Sequence, residues 1–379
     1  MQNQFVLLLW MFALIYLSLK AFECKKISFI EKSDDRPNNK FDALRGYLSI
    51  LVVFHHYVFN YFYYTEHAWV ISGYHFFNFI GPFAVSMFFI LSGYLFSNIG
   101  SKTTNWWFSF FVKRIFRIAP MAIISSLLCI SIIYKSDWIN HGTIFLILQW
   151  MDAGLFNIRP DLFGVEHSNI INAGVTWTLM WEWRLYIALP LISILIPIKW
   201  RLHASLTISA LSLALYLFWK IKLPEHDNFI FRAIFLFSTG FLCKHLSFDL
   251  IKKIAIKRSI HLIVTIMFFS TILTEKNGAI MGLILPPILF LLICNGFTIF
   301  GLLNNAGACR IGKISYSIYL IHGIIWYASF NKIIITSHLM LYSTIAFLSI
   351  LIISSILSIT IEHPTYNWIK TKLDRKTIK

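Results

Sequence analysis

The chain has 379 residues, of which 58% are hydrophobic and only 13% charged, with a mean hydropathy of +0.69. Soluble domains carry about twice that charged fraction, so a water-soluble enzyme or binding module is excluded and a polytopic membrane protein is specified. A net charge of +16 would point to nucleic acid in a soluble chain. Here the basic residues occupy short loops between apolar runs, which is positive-inside patterning, and no nucleic-acid partner is expected.

In chain order, an apolar run from Phe5 to Leu19 comes first, preceded only by MQNQ. It lacks the basic n-region of a cleaved secretory signal. Ten further runs follow near 44–64, 79–98, 115–135, 184–199, 203–220, 229–246, 258–275, 279–302, 314–332 and 340–361. The fold class is therefore all-α, a transmembrane helical bundle of about ten core spans plus one extra N-terminal span. Three regions are expected: residues 1–37 (apolar segment and basic cytoplasmic loop), a membrane domain over 38–365, and a basic tail over 366–379. Basic loops at 20–45, 99–114, 199–202, 244–258 and 303–313 are assigned to the cytoplasm, which puts the extreme N-terminus outside. This alternation closes only if the apolar patch Thr143 to Gln149 does not cross. Residues 136–183 are then one long outer-side excursion, with a re-entrant or interfacial piece allowed. With the chain ending eighteen residues after Ile361, no appended soluble catalytic domain is expected. The five cysteines are dispersed, without CxxC or disulfide spacing, and read as packing residues.

Chemistry concentrates in four places. Phe41 to Tyr57 carries Arg45 at the mouth of an apolar run and His56 deep within it. Eleven residues on a helix are three turns plus roughly 20°, so the two share one face, about 16 Å apart. An ionisable residue at that depth requires a task or a partner. Neighbouring His55 points about 100° away. A neutral imidazole suits a general base toward a hydroxyl. The second place is FFVKRIFRIAP, residues 110–120, where Arg114 and Arg117 lie three apart and can clamp a phosphate or pyrophosphate, or else anchor in headgroups. The third is TWTLMWEWRLYIALP, residues 176–190, with Glu182 among tryptophans and Tyr186 one turn on. Its carboxylate could orient a base or a sugar hydroxyl, or be neutralised by Arg184. The fourth is KISYSIYLIH, residues 313–322, which places Tyr319 and His322 three apart. Asp42, Tyr186, Tyr319 and His322 are grouped as supporting residues. GACRIGK, residues 307–313, is not a phosphate-binding loop, since Ile314 stands where a Ser or Thr is required and it joins two spans. No metal-ligand spacing occurs, and no metal is expected.

Taken together, these motifs resemble the acyltransferase-3 family of integral membrane acyltransferases over roughly 38–365. FDALRGYLSILVVFHH is similar to the family's opening motif, MFFILSGYLFS (87–97) to its second-helix signature, and KRIFRIAP to its RxxR-then-proline element. TWTLMWEWRLYIALP is similar to its tryptophan–glutamate–tyrosine segment, with Thr178 where serine is usual. IGKISYSIYLIHG and IEHP (361–364) resemble its last motifs. The resemblance implies transfer of an acyl group, usually acetyl, from cytoplasmic acetyl-CoA to a hydroxyl of an extracytoplasmic glycan. Typical acceptors are O-antigen units of lipopolysaccharide or their lipid-linked precursors, and the setting is the bacterial inner membrane. By that likeness His56 carries catalysis, Arg45 supports it, and Arg114 and Arg117 help hold the coenzyme; in the mechanism expected here, Glu182 orients the acceptor or a histidine. The donor, the glycan or lipid-linked acceptor and membrane lipids are the expected partners. Direct attack and an acyl-histidine relay stay open, as do lipid, peptidoglycan, glucan or glycoside acceptors. A transporter is the remaining alternative, disfavoured because no paired inverted repeats are visible.

Overall fold

The computed structural model describes residues 4–24, 40–134, 141–223, 229–246, 248–273, 275–333 and 338–377. Among the described residues the regular structure is helical, with one isolated bridge between Leu162 and Val165. In chain order the helices are α1 (Gln4–Glu23), α2 (Lys40–Glu66), α3 (His75–Phe96), α4 (Thr104–Ile133) and α5 (His141–Trp150). A 3₁₀ turn (Ser168–Asn172) leads to α6 (Trp177–Leu195), α7 (Arg201–Lys222), α8 (Phe229–His245), α9 (Asp249–Ala255), α10 (Arg258–Ser270) and α11 (Glu275–Cys294). Then come α12 (Ala306–Lys313), α13 (Ser315–Ile333), α14 (Leu339–Leu357), a π-helical segment (Ser358–Glu362) and α15 (His363–Thr377).

Among the described residues, six helical stretches are long and apolar enough to cross a membrane: Gln4–Glu23, His75–Phe96, Thr104–Ile133, Trp177–Leu195, Ile198–Lys222 and Leu339–Arg375. The bent pair α8 and α9 would make a seventh. The protein is thus a helical multi-pass membrane protein, at a coarser count than ten plus one. The difference has physical causes. α2 carries Asp42, Arg45, His55, His56 and Asn60, which lower its hydropathy although it is 27 residues long. The run near 279–302 stops being helical at Cys294, and the chain turns through left-handed backbone at Gly296, Ile299, Phe300 and Gly301. The patch at 143–149, not counted among those spans, lies in α5, whose ten residues rise about 15 Å, too short to cross.

The described residues form two compact units. The first holds Met1–Ser72, Phe108–Met180 and Asn304–Lys379, and the second Gly73–Trp107 and Trp181–Leu303. In the first unit, α2 packs against α12 and α13. α12 starts on an Asn305 cap, whose side chain accepts from the Ala308 N–H at 2.8 Å. Its backbone meets α2 so closely that a Cβ on Gly312 would lie 1.8 Å from the Asp42 carbonyl oxygen. α13 is tied to α2 by Trp326, whose indole donates to the Val53 carbonyl at 3.0 Å, and by Tyr64, which donates to the Tyr327 carbonyl at 2.8 Å. The N-terminal segment, without an assigned purpose in sequence, packs behind α2: Trp10 meets Phe54 edge-on and Tyr57 at a tilt, and donates to Thr344.

The second unit pairs α3 with α8 and α8 with α7. Gly93 and Gly240 are the points of closest approach between α3 and α8. Two arginines expected in basic loops act as helix caps. Arg201, buried at the start of α7, donates to the carbonyls of Ser97 and Ile99 beyond α3. In the first unit Arg310 donates to the carbonyls of Phe22 and Cys24 at the end of α1. Each satisfies acceptors that a helix end leaves open. Cys129, Cys243 and Cys309 are buried packing residues, whereas Cys24 is exposed.

Candidate active site

α2 is one continuous helix without proline, so Arg45 and His56 keep the spacing of a shared face. Arg45 pairs with Asp42 one turn earlier, at 3.3 Å. Eleven residues on, His56 meets α13. Its Nδ1 lies 2.9 Å from Nε2 of His322, with ring centroids 5.0 Å apart. His322 is fully buried, and its Nδ1 lies 3.0 Å from the Ile318 carbonyl oxygen.

The acceptor at the end of this chain fixes the tautomers. A carbonyl only accepts, so His322 Nδ1 carries the hydrogen. In a neutral ring its Nε2 is then an acceptor, filled by the N–H of His56 Nδ1. Nε2 of His56 keeps its lone pair. The arrangement is a base held by a second imidazole, itself held by a backbone carbonyl, the orienting logic of a catalytic triad without a carboxylate. Trp69 stacks over His56 at 6.3 Å, with Phe59 on the same side. His55 is turned toward the edge of Phe59 at 4.8 Å.

Tyr319 acts one turn from His322. Its hydroxyl shares a hydrogen bond with Thr178 Oγ1 at 2.8 Å and donates to the Val175 carbonyl at 3.3 Å. This pins the end of the 136–183 excursion to α13. The same excursion packs its Asn172–Ala173 backbone against Gly323, where a Cβ would lie 2.4 Å from the Asn172 carbonyl carbon. The excursion therefore reaches the level of His322. Its own fold rests on Asp152, which accepts from three backbone N–H groups and pairs with Arg159.

Arg114 and Arg117 lie on α4, each against a ring: Arg114 over Phe110 at 5.4 Å, Arg117 over Tyr366 of α15 at 5.7 Å. Lys113 joins the same helices through Asp374 at 2.8 Å. Glu182 and Tyr186 belong to the second unit. There Tyr186 donates to Glu182, and Tyr186 packs on Phe96 and Trp183. Arg184 does not pair with Glu182 as the neutralising alternative required; it stacks on Trp181 at 4.4 Å.

One buried carboxylate was flagged in sequence only as part of a motif. Glu362 closes the π-helical segment, is 2% exposed, and accepts from Ser317 Oγ at 2.7 Å and Ser358 Oγ at 3.1 Å. The extra residue of a π turn rotates it inward toward α13. Its spacing alone carries no such signal. Among the described residues no group of three or more His, Cys, Asp or Glu side chains could hold a metal.

Fold and site together define a multi-pass membrane protein built around an intramembrane imidazole pair. The family model Acyl_transf_3, described as an acyltransferase domain, matches residues 38–360. The chain belongs to the acyltransferase-3 family, and is accordingly a membrane acyltransferase with an acyl donor and an acceptor. No curated protein and no solved structure matches it.

Proposed function

We propose that the protein, with about ten core spans plus one N-terminal span in a bacterial inner membrane, transfers an acetyl group from cytoplasmic acetyl-CoA to a hydroxyl of an extracytoplasmic glycan, an O-antigen unit or its lipid-linked precursor. The observation that carries this reading is the hydrogen-bonded chain from His56 to His322 to the Ile318 carbonyl. In the proposed step, His56 Nε2 takes the proton of the acceptor hydroxyl as its oxygen attacks the thioester carbon. The new C–O bond forms, the C–S bond breaks, and the proton passes from the imidazolium to the departing thiolate. Arg45 lies about 16 Å along the same helix, where it positions the donor; Arg114 and Arg117 offer cationic forks to the coenzyme phosphates. Preorganised donors at such points stabilise charge that develops in the transition state.

The test supplies acetyl-labelled acetyl-CoA to membranes holding equal amounts of the intact protein, His55→Ala or His56→Ala, and follows label into glycan. Loss confined to His56→Ala is expected, by 10²- to 10⁴-fold, the range for removing a general base. If the intact protein moves no label into glycan or lipid, the donor or acceptor assignment fails. If only His55→Ala is inactive, the assignment of the base fails.

A further inference from the structure

In the second unit a cleft of about 300 Å³ runs between α6 on one side and α7 and α8 on the other. α6 contributes one helical stripe to it: Trp181, Arg184, Ala188 and Ile192. Ile208 of α7 and Ile234 of α8 face them. At one end Trp181 meets Phe229 of α8, with centroids 5.3 Å apart. Arg201 lines the other end, its guanidinium already engaged by backbone carbonyls.

The polar groups of the lining are spent within the protein. Ser205 donates to the Arg201 carbonyl at 2.5 Å, and Ser238 shares a hydrogen bond with Ser209 at 2.8 Å. What remains is an apolar wall, suited to hydrocarbon and not to a sugar. Among the described residues that line the Trp181 end, the charged one is Arg184, which is exposed and lies over the Trp181 ring. Among the described residues, two nearby charges are directed elsewhere: Glu182 is bound by Tyr186, and Arg232 donates to Ser86 at 3.1 Å. From Trp181 to Ile192 is about 16 Å of helix, close to the depth of one leaflet's hydrocarbon. Beside the stripe, α6 exposes a second apolar ridge of Ile187, Leu191, Ile194 and Leu195.

We propose that this cleft is a binding site for an anionic diacyl phospholipid. Its phosphate sits on Arg184, one acyl chain fills the cleft, and the other lies along the exposed ridge of α6. Charge complementarity at Arg184 selects the anionic headgroup, and two parallel apolar tracks flanking one helix select two chains. Loop charges put the Arg184 end toward the outer leaflet. The site is independent of the proposed acyl transfer, since its test reads lipid binding and not activity.

The test is native mass spectrometry of the full-length protein in mild detergent, given equal amounts of phosphatidylglycerol and phosphatidylcholine. The intact protein is expected to retain one phosphatidylglycerol, with a preference of about fivefold, the factor for one basic residue at an anionic surface. Arg184→Gln should erase the preference and Arg184→Lys restore it. Ala188→Phe, or Ile208→Trp if that variant fails to fold, should lower retention of both lipids, with thermal melting unchanged as the folding control. Equal retention of the two lipids by the intact protein overturns the proposal. So does an Arg184→Gln protein that still prefers phosphatidylglycerol, or displacement of the phospholipid by an equimolar single-chain isoprenyl phosphate.

Discussion

At the residue scale, the decisive question is which nitrogen of His56 is basic, and that is answered by a residue 266 positions away. His322 orients the ring of His56 without needing to touch substrate. Replacing it by glutamine leaves an amide oxygen that can still accept from His56 Nδ1–H. Replacing it by leucine leaves that N–H unsatisfied in an apolar site and frees the other tautomer. His322→Gln should therefore stay within about tenfold of the intact rate, whereas His322→Leu should fall on the order of 10²-fold or more, comparable to loss of the base itself. The drop belongs in kcat, with KM for the donor near its original value, because binding groups are untouched. A leucine variant turning over at the intact rate would remove His322 from the mechanism. The sequence made this pair half legible. Helical spacing singled out His56 over His55, but nothing in KISYSIYLIH says that His322 points at α2 and not at lipid, because that depends on how α13 is rotated. Glu182 shows the converse. Its spacing to Tyr186 was readable as an i,i+4 pair, and the pair is what the structure contains, inside a unit separate from the one that holds His56.

At the element scale, the histidines are positioned by helices brought into backbone contact. Gly46 of α2 sits against α12, where a Cβ would lie 2.3 Å from the Ala308 carbonyl oxygen, and Gly312 mirrors it against Asp42. Neither neighbour is a flexible side-chain tip, so a methyl group must push the helices apart. Gly312→Ala should destabilise by about 1–3 kcal/mol, the usual cost of overpacking a tight interface, seen as a lower melting temperature in detergent. Gly282, whose Cβ would meet nothing within 4 Å, supplies the control: Gly282→Ala should melt no lower than the intact protein. Equal melting for Gly312→Ala and the intact protein would contradict the close approach. Such contacts are hard to see in sequence, since a glycine that admits a neighbouring backbone looks like one that merely bends a helix. The caps made by Arg201 and Arg310 were hidden for a related reason. Both lie in segments rich in basic residues, where topology alone accounts for an arginine.

At the scale of the whole molecule, the alternating loop charges predict a side of the membrane for every connection, and contacts within each unit agree with that prediction. In the first unit, Arg310 joins the loop at 303–313 to the end of α1, and Lys113 joins the loop at 99–114 to the C-terminal helix through Asp374. The loops at 20–45, 99–114 and 303–313 were assigned to the cytoplasm by their charges, and the basic tail goes with them. At the opposite helix ends, Trp10 meets Thr344 and Tyr64 meets the Tyr327 carbonyl. In the second unit, Arg201 joins the loops after α3 and before α7, both assigned to the cytoplasm by their charges. Helical class and chain order were legible because hydropathy and charge report them directly; the span count was not, because α2 trades hydropathy for the groups that do chemistry. The topology itself can be read from Cys24, the exposed cysteine, and from Phe156, 67% exposed in the excursion. A membrane-impermeant thiol reagent should leave Cys24 unmodified in intact spheroplasts and modify it in inverted vesicles. In a Cys24→Ser background, Phe156→Cys should show the reverse. Modification of Cys24 from outside would invert the protein and place Arg45, Arg114 and Arg117 away from the cytoplasmic coenzyme, which would end the proposed direction of acyl transfer.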